Sequence, residues 1–355
     1  MVLIMTLRRL SRLLCAFCAL AITSSAYSEV TYYIFPQLQI FQRSDVEDNP
    51  SLLKDETTPS VDLFITSNSG RALFLGEVLA ESNERHVERI QFGWKISPNS
   101  KIWLGRHHSQ IGYWRTKFHH GSYLQTSISN PSITASKQPL PTHITGLLWE
   151  GGMSRNESRL DYKLSLGLGP ELNNTGLQSL DIVNPNRGEH KPGINIRMSY
   201  KPDELENNVY GTFFSYMQIP SVISGLNEVK QYAAGVYGAW THKRNYVFGS
   251  AVYVLNELDM VGSDQDAAFS SAYVQAERQI SDVWTLYTRI EGGDNTGTYN
   301  AYLANFKHYG RGGILGGARY ELDANQALKV ELAPKVDHIH GTFSVISFEW
   351  SAVLP

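Results

Sequence analysis

The sequence predicts an all-β protein: a transmembrane, antiparallel, up-and-down β-barrel of about sixteen strands with a long third outer loop. Three observations lead there. Hydrophobicity alternates with period two along many segments. Long and short connections alternate along the chain. Beyond the first 28 residues no apolar run is long enough for a membrane helix, yet Gly, Tyr, Phe and Trp are abundant, as in β-proteins.

Residues 1–28 read as a secretory signal. Arg8, Arg9 and Arg12 form a basic front, Leu13 to Ile22 an apolar core, and small residues place cleavage after Ala26 or Ser28. Both cysteines, Cys15 and Cys18, lie in this segment, so thiolate metal sites, disulfides and cysteine nucleophiles are excluded from residues 29–355. That remainder reads as one barrel domain, with no linker or charge block. Its 28 basic residues face 34 acidic ones, a net charge of −6, which argues against a nucleic-acid partner.

Candidate strands fall at 31–41, 60–68, 71–81, 85–96, 101–107, 142–151, 158–168, 191–201, 207–218, 229–240, 246–256, 267–278, 283–291, 308–321, 326–335 and 342–353. The alternation is clearest where Leu160, Tyr162, Leu164, Leu166 and Leu168 oppose Arg159, Asp161, Lys163 and Ser165. Ile194, Ile196, Met198 and Tyr200 oppose Asn195, Arg197 and Ser199; Leu328, Val330 and Leu332 oppose Lys329 and Glu331. The long connections are 42–59, 108–141, 169–190, 219–228, 257–266 and 292–307. The short ones carry turn residues such as Asn68-Ser69-Gly70 and Asp323-Ala324-Asn325. In hydrocarbon every backbone polar group must be bonded, so the sheet closes, with apolar side chains toward lipid and polar ones toward a lumen. Trp94, Trp240, Trp284 and Trp350 sit near strand ends, as an aromatic girdle requires.

The stretch 101–150 is the most distinctive. Gly105-Arg106-His107-His108, Gln110-Ile111-Gly112-Tyr113-Trp114, His119-His120-Gly121, Leu124–Ile128 and Leu140-Pro141-Thr142-His143 follow one another, with Gly146-Leu147-Leu148. These residues resemble a family of largely uncharacterised, porin-like bacterial outer-membrane β-barrel proteins, and the Gly105-Arg106 pair at a strand end followed by a glycine-containing loop resembles, more distantly, the phosphate-selective porins. The resemblance implies a barrel in the outer membrane, among its lipids, and a channel for small hydrophilic solutes. It implies a third outer loop folded inward, and by analogy a homotrimer. The terminus Ala352-Val353-Leu354-Pro355 departs from the aromatic ending usual in such barrels, which leaves Phe348 and Trp350 as substitutes.

On this reading Arg106, His107, His108, Arg115, Lys117, His119 and His120 are candidates for a constriction, and rings of such charge select anions. Arg89, Lys163, Arg197, Arg289 and Lys329 are candidate lumen-lining residues. The expected function is passive or weakly selective diffusion with an anion preference. The alternatives are an occluded structural or adhesive barrel and an outer-membrane hydrolase using Ser109 or Ser122 with His119 or His120. No GxSxG elbow supports the hydrolase. No metal site or cofactor is expected, because neighbouring histidines on a strand point to opposite faces and no HExxH spacing occurs. Tyr113, Trp114 and Tyr123 are expected to pack the loop against the wall.

Overall fold

The computed structural model describes residues 29–44, 56–81, 85–118, 121–134, 138–182, 188–294, 300–306, 309, 312–337 and 341–355. The signal segment, His119, His120 and the acidic stretch Asp45–Asp48 lie outside the described residues.

The first strands are β1 (Glu29–Ser44), β2 (Glu56–Ser69), β3 (Ala72–Glu81), β4 (Arg85–Ser97), β5 (Ser100–His108), β6 (His143–Arg155) and β7 (Ser158–Leu168). A small hairpin of β8 (Glu171–Asn173) and β9 (Gly176–Gln178) follows. The chain continues through β10 (Pro192–Lys201), β11 (Val209–Pro220), β12 (Leu226–His242), β13 (Asn245–Met260) and β14 (Ser263–Gln279). It ends with β15 (Trp284–Asp294), β16 (Gly312–Asp323), β17 (Gln326–Asp337) and β18 (Gly341–Ala352). All but β8 and β9 form one closed barrel, in which β1 pairs with both β2 and β18. Each of the sixteen predicted strands is present, and Ser158–Leu168 has the predicted bounds.

Closure leaves no sheet edge to pair with a stranger, the only way a sheet persists in lipid. The outward face is apolar: Leu166, Ile196, Met198, Leu286, Ile290, Val330 and Leu332 are exposed. Ser165, Asn195, Arg197, Arg289, Lys329 and Glu331, the opposite faces of those strands, are buried. A barrel with this outer surface is built to lie in a membrane. Trp94, Trp240 and Trp284 are exposed at the short-turn ends of their strands, and Trp350 joins them through a bond from Nε1 to Gln326. The girdle therefore marks the short-turn rim. Leu354 extends the closure by exchanging backbone bonds with Ile34 on β1.

Two expected long connections are shorter. The stretch 257–266 is strand except for a two-residue turn between Met260 and Ser263, and in 219–228 β11 runs to Pro220 and β12 starts at Leu226, leaving five residues between them. The stretch 257–266 carries Glu257, Asp259, Asp264 and Asp266, whose side chains are exposed while Val254, Leu258 and Ala267 alternate with them inside. A hairpin rising past the apolar belt meets water on its outer face, so charges there are compatible with strand. The inner wall also departs from the simple pattern. On β11–β14 it is apolar, with Phe213, Met217, Val229, Tyr237, Phe248, Val254 and Phe269 buried, so these strands are apolar on both faces.

Candidate functional site: the loop inside the barrel

Gly105 lies within β5, three residues before the strand ends and the connection to β6 begins. This residue has φ +137°, and a Cβ there would lie 2.0 Å from the carbonyl oxygen of Ile90. Gly105→Ala should therefore add at least about 1–3 kcal/mol of backbone strain and clash. We expect a loss of folded, heat-modifiable barrel on unboiled gels.

Beyond β5 the loop packs on the apolar inner wall. A short helix, α1 (Trp114–Lys117), carries Trp114 inward, and Tyr113 and Phe118 flank it. Phe248 of β13 is the hub, with ring centroids 5.6 Å from Tyr113, 5.8 Å from Trp114 and 5.1 Å from Phe118. The Trp114 backbone N–H donates to the Tyr273 hydroxyl at 3.1 Å. The connection after β15 joins this core: Tyr302, Leu303 and Phe306 are buried, and the Tyr302 hydroxyl donates to the carbonyl of Pro139 at 2.7 Å.

Farther along, the loop crosses to β14–β18. An irregular chain has no ladder of its own, so the wall must satisfy its backbone groups. Glu331 accepts the N–H groups of Ile128 and Ser129, and Glu291 that of Ser132. Arg289 donates to the Ser129 carbonyl at 2.8 Å, Arg319 to the carbonyls of Tyr123 and Gln125, and Lys329 to that of Ser122 at 2.6 Å. Thr126 donates to Glu277, and the Tyr123 hydroxyl reaches the short turn at Ala324. Gly121, at φ +56°, lets the backbone lie against the Phe35 ring, where a Cβ would stand 2.3 Å from a ring carbon.

The sequence-predicted residues divide accordingly. Arg197, Arg289 and Lys329 point inward as expected but are buried, the first donating to the Gly112 carbonyl. Arg89 is paired with Glu77 at 2.6 Å, and Lys163 with Glu150 at 3.0 Å. Arg115 is not at an open constriction. It is 2% exposed and donates to the carbonyls of Thr134, Leu140 and Pro141, so it folds the loop on itself. Burial lowers its pKa below the ordinary arginine value. Lys117 is exposed. His107 is buried against Ser165, with Nε2 at 2.7 Å from its Oγ. The rings of His108 and His143 lie with centroids 4.8 Å apart, tilted at 43° to one another.

Arg106 does border open space. A cavity of about 750 Å³ at the long-loop end is lined by Phe35, Asp62, Glu77, Glu88, Arg106 and His143, among others. A second, of about 410 Å³, opens toward the short turns beside Tyr246, Glu277 and Arg319. The segment 121–126 contributes to both linings and lies between them. Sequence reasoning missed the acids of the first cavity. The signal was present: Asp62 and Glu77 are isolated acids inside the apolar runs of β2 and β3. Glu88 sits at a register shift between β3 and β4, where a bulge re-aims side chains.

Glu88, His108 and His143 offer ligand atoms within 4.8 Å of one another. Their hydrogen bonding opposes a metal as they stand. Arg106, which can only donate, lies 3.2 Å from Nδ1 of His143, so the imidazole proton is on Nε2, directed at Glu88 2.8 Å away. An ion at Nε2 would have to displace both that proton and Arg106.

No protein-family model matches the chain, and no curated protein sequence matches it. Its fold is similar to that of outer-membrane proteins of known structure. The trimer form of OmpT of Vibrio cholerae superposes with a TM-score of 0.59 at 10% identity, over 92% of this chain and 99% of that one. The outer-membrane channel DcaP of Acinetobacter baumannii gives 0.59 at 11% identity, over 93% and 99%. OmpF of Salmonella typhi, in complex with daunomycin, gives 0.59 at 12% identity, over 92% and 97%. The chain therefore has the barrel fold of these outer-membrane proteins.

Proposed function

We propose that the protein is an outer-membrane, porin-like channel for passive diffusion of small hydrophilic solutes. The observation that carries this reading is the divided lumen: the inserted loop fills the apolar half against β11–β14, while polar cavities remain open on both sides of it. Its exposed apolar belt supports outer-membrane lipids as its surroundings. A homotrimer is part of the proposal, supported by the trimer form of the similar OmpT. The likeness of 101–150 to uncharacterised porin-like barrels and phosphate-selective porins adds to the channel reading without supplying a solute.

Anion preference is not retained. Arg115, Arg197, Arg289 and Lys329 are engaged by the loop, and the open cavity is bordered by several acids. Of the two serines of the hydrolase reading, Ser109 is fully buried and donates to the Pro141 carbonyl at 2.6 Å, while Ser122 lines the larger cavity and its expected partners His119 and His120 lie outside the described residues. A specific observation favours one rival, the occluded barrel: segment 121–126 separates the cavities and is bonded to the wall at several points.

Planar-bilayer recording decides between them. Purified, heat-modifiable protein should give reproducible conductance steps. Folded protein that gives none supports the occluded barrel.

A further inference from the structure

Asp62 is a carboxyl without a counter-charge. It lies on β2, paired in register with Phe35 and Leu79, and is 7% exposed. Its side chain lines the 750 Å³ cavity, and Oδ1 has no hydrogen-bond partner. Its neighbours are the Glu77 carboxyl and the backbone N–H of Gly121. Arg89 is directed at Glu77 at 2.6 Å, with His108 3.6 Å away on the same oxygen. Arg106, the guanidinium bordering the cavity nearby, donates to the carbonyls of Glu88 and Leu180 and to His143.

The surrounding field has the same sign. Glu81, Glu88 and Asp181 also line the cavity, whose basic members are Arg85 and Arg106 with the imidazoles of His86 and His143. A buried carboxylate with one oxygen unbonded and no counter-charge is unstable until a proton or a cation neutralises it. The cavity is large enough for an ion with part of its water shell, since one water occupies about 30 Å³.

We propose that Asp62 is a cation subsite of the channel, taking a monovalent cationic head, either an alkali ion or the ammonium of a small amine. The proposal rests on the channel reading for its role in permeation but not for binding. Asp62 supplies the free oxygen, Glu81, Glu88 and Asp181 the attracting field, and the loop excludes bulk water from one side. The opposite wall has its cations covered by loop backbone, so an anion finds no equivalent site there.

Reversal potentials across a potassium chloride gradient test it. The wild-type pore should favour potassium over chloride by about threefold or more, and Asp62→Asn should bring the ratio toward unity. An open wild-type pore with no cation preference, or one whose preference survives Asp62→Asn, overturns the proposal. A barrel that does not conduct defeats the channel reading instead, and binding is then read directly. Thermal unfolding in detergent should shift upward in potassium or methylammonium chloride relative to tetramethylammonium chloride, and the shift should vanish in Asp62→Asn. Potassium and methylammonium arms separate an inorganic ion from an amine. No shift with either in the wild type overturns the site, and it does so even if the variant fails to fold.

Discussion

Trp114→Ala should lower the barrel's unfolding free energy by about 3–5 kcal/mol and raise its single-channel conductance. Trp114 is 2% exposed and lies between the loop and the wall. Its ring contacts Phe118, Phe248 and Tyr273, its Nε1–H donates to Asn130, and the Arg289 guanidinium lies 5.3 Å from its centroid. Removing it leaves a cavity in a core that belongs half to a loop, which relaxes more readily than strands do. The loop should release before the barrel melts, so conductance noise should rise at temperatures where the unboiled gel band is unchanged. A variant with wild-type conductance and reduced stability would show that the loop holds its place without this anchor.

Lys329→Ala should be as damaging for a different reason. Lys329 and Glu349 form a 2.7 Å ion pair whose side chains are both fully buried, and Lys329 also holds the Ser122 carbonyl. Deleting one partner of such a pair costs about 3–5 kcal/mol, because the other charge is left buried and uncompensated. The double variant Lys329→Met, Glu349→Leu removes both charges and should recover much of that loss, measured by denaturant unfolding in detergent. It should not restore the bond to Ser122, so loop motion should remain elevated. Full recovery of both properties would mean that Lys329 acts on the sheet alone.

The barrel was legible because its constraint is local. Lipid demands an apolar residue at every second position, and Leu160 to Leu168 or Leu328 to Leu332 satisfy that rule within a few residues. β11–β14 also read as strands, but their second apolar face gave no warning that a loop covers it. Val252, Val254 and Phe248 look from sequence like residues of a doubly buried sheet. The site was less legible because its contacts are remote. Arg115 looks solvent-facing in a polar loop, and nothing nearby announces that three carbonyls close around it. Arg289, Arg319 and Lys329 face the lumen as predicted, but their acceptors lie about 160 to 207 residues earlier in the chain. Asp62 was overlooked as one acid in an apolar strand, although an isolated acid there is what burial makes consequential.

The long bonds between the loop and β14–β18 also fix an order of events during assembly. The loop leaves the ribosome roughly two hundred residues ahead of Glu331 and Lys329, the groups that capture Ile128 and Ser122. Contacts so distant in sequence form late, since the intervening chain must first be confined. Until β15–β17 arrive, the carbonyls of Ser122, Tyr123, Gln125 and Ser129 and the N–H groups of Ile128 and Ser129 have no wall to bond, and water or a chaperone must serve them. The final strands thus do two jobs in one step: they seal the cylinder and lock its contents.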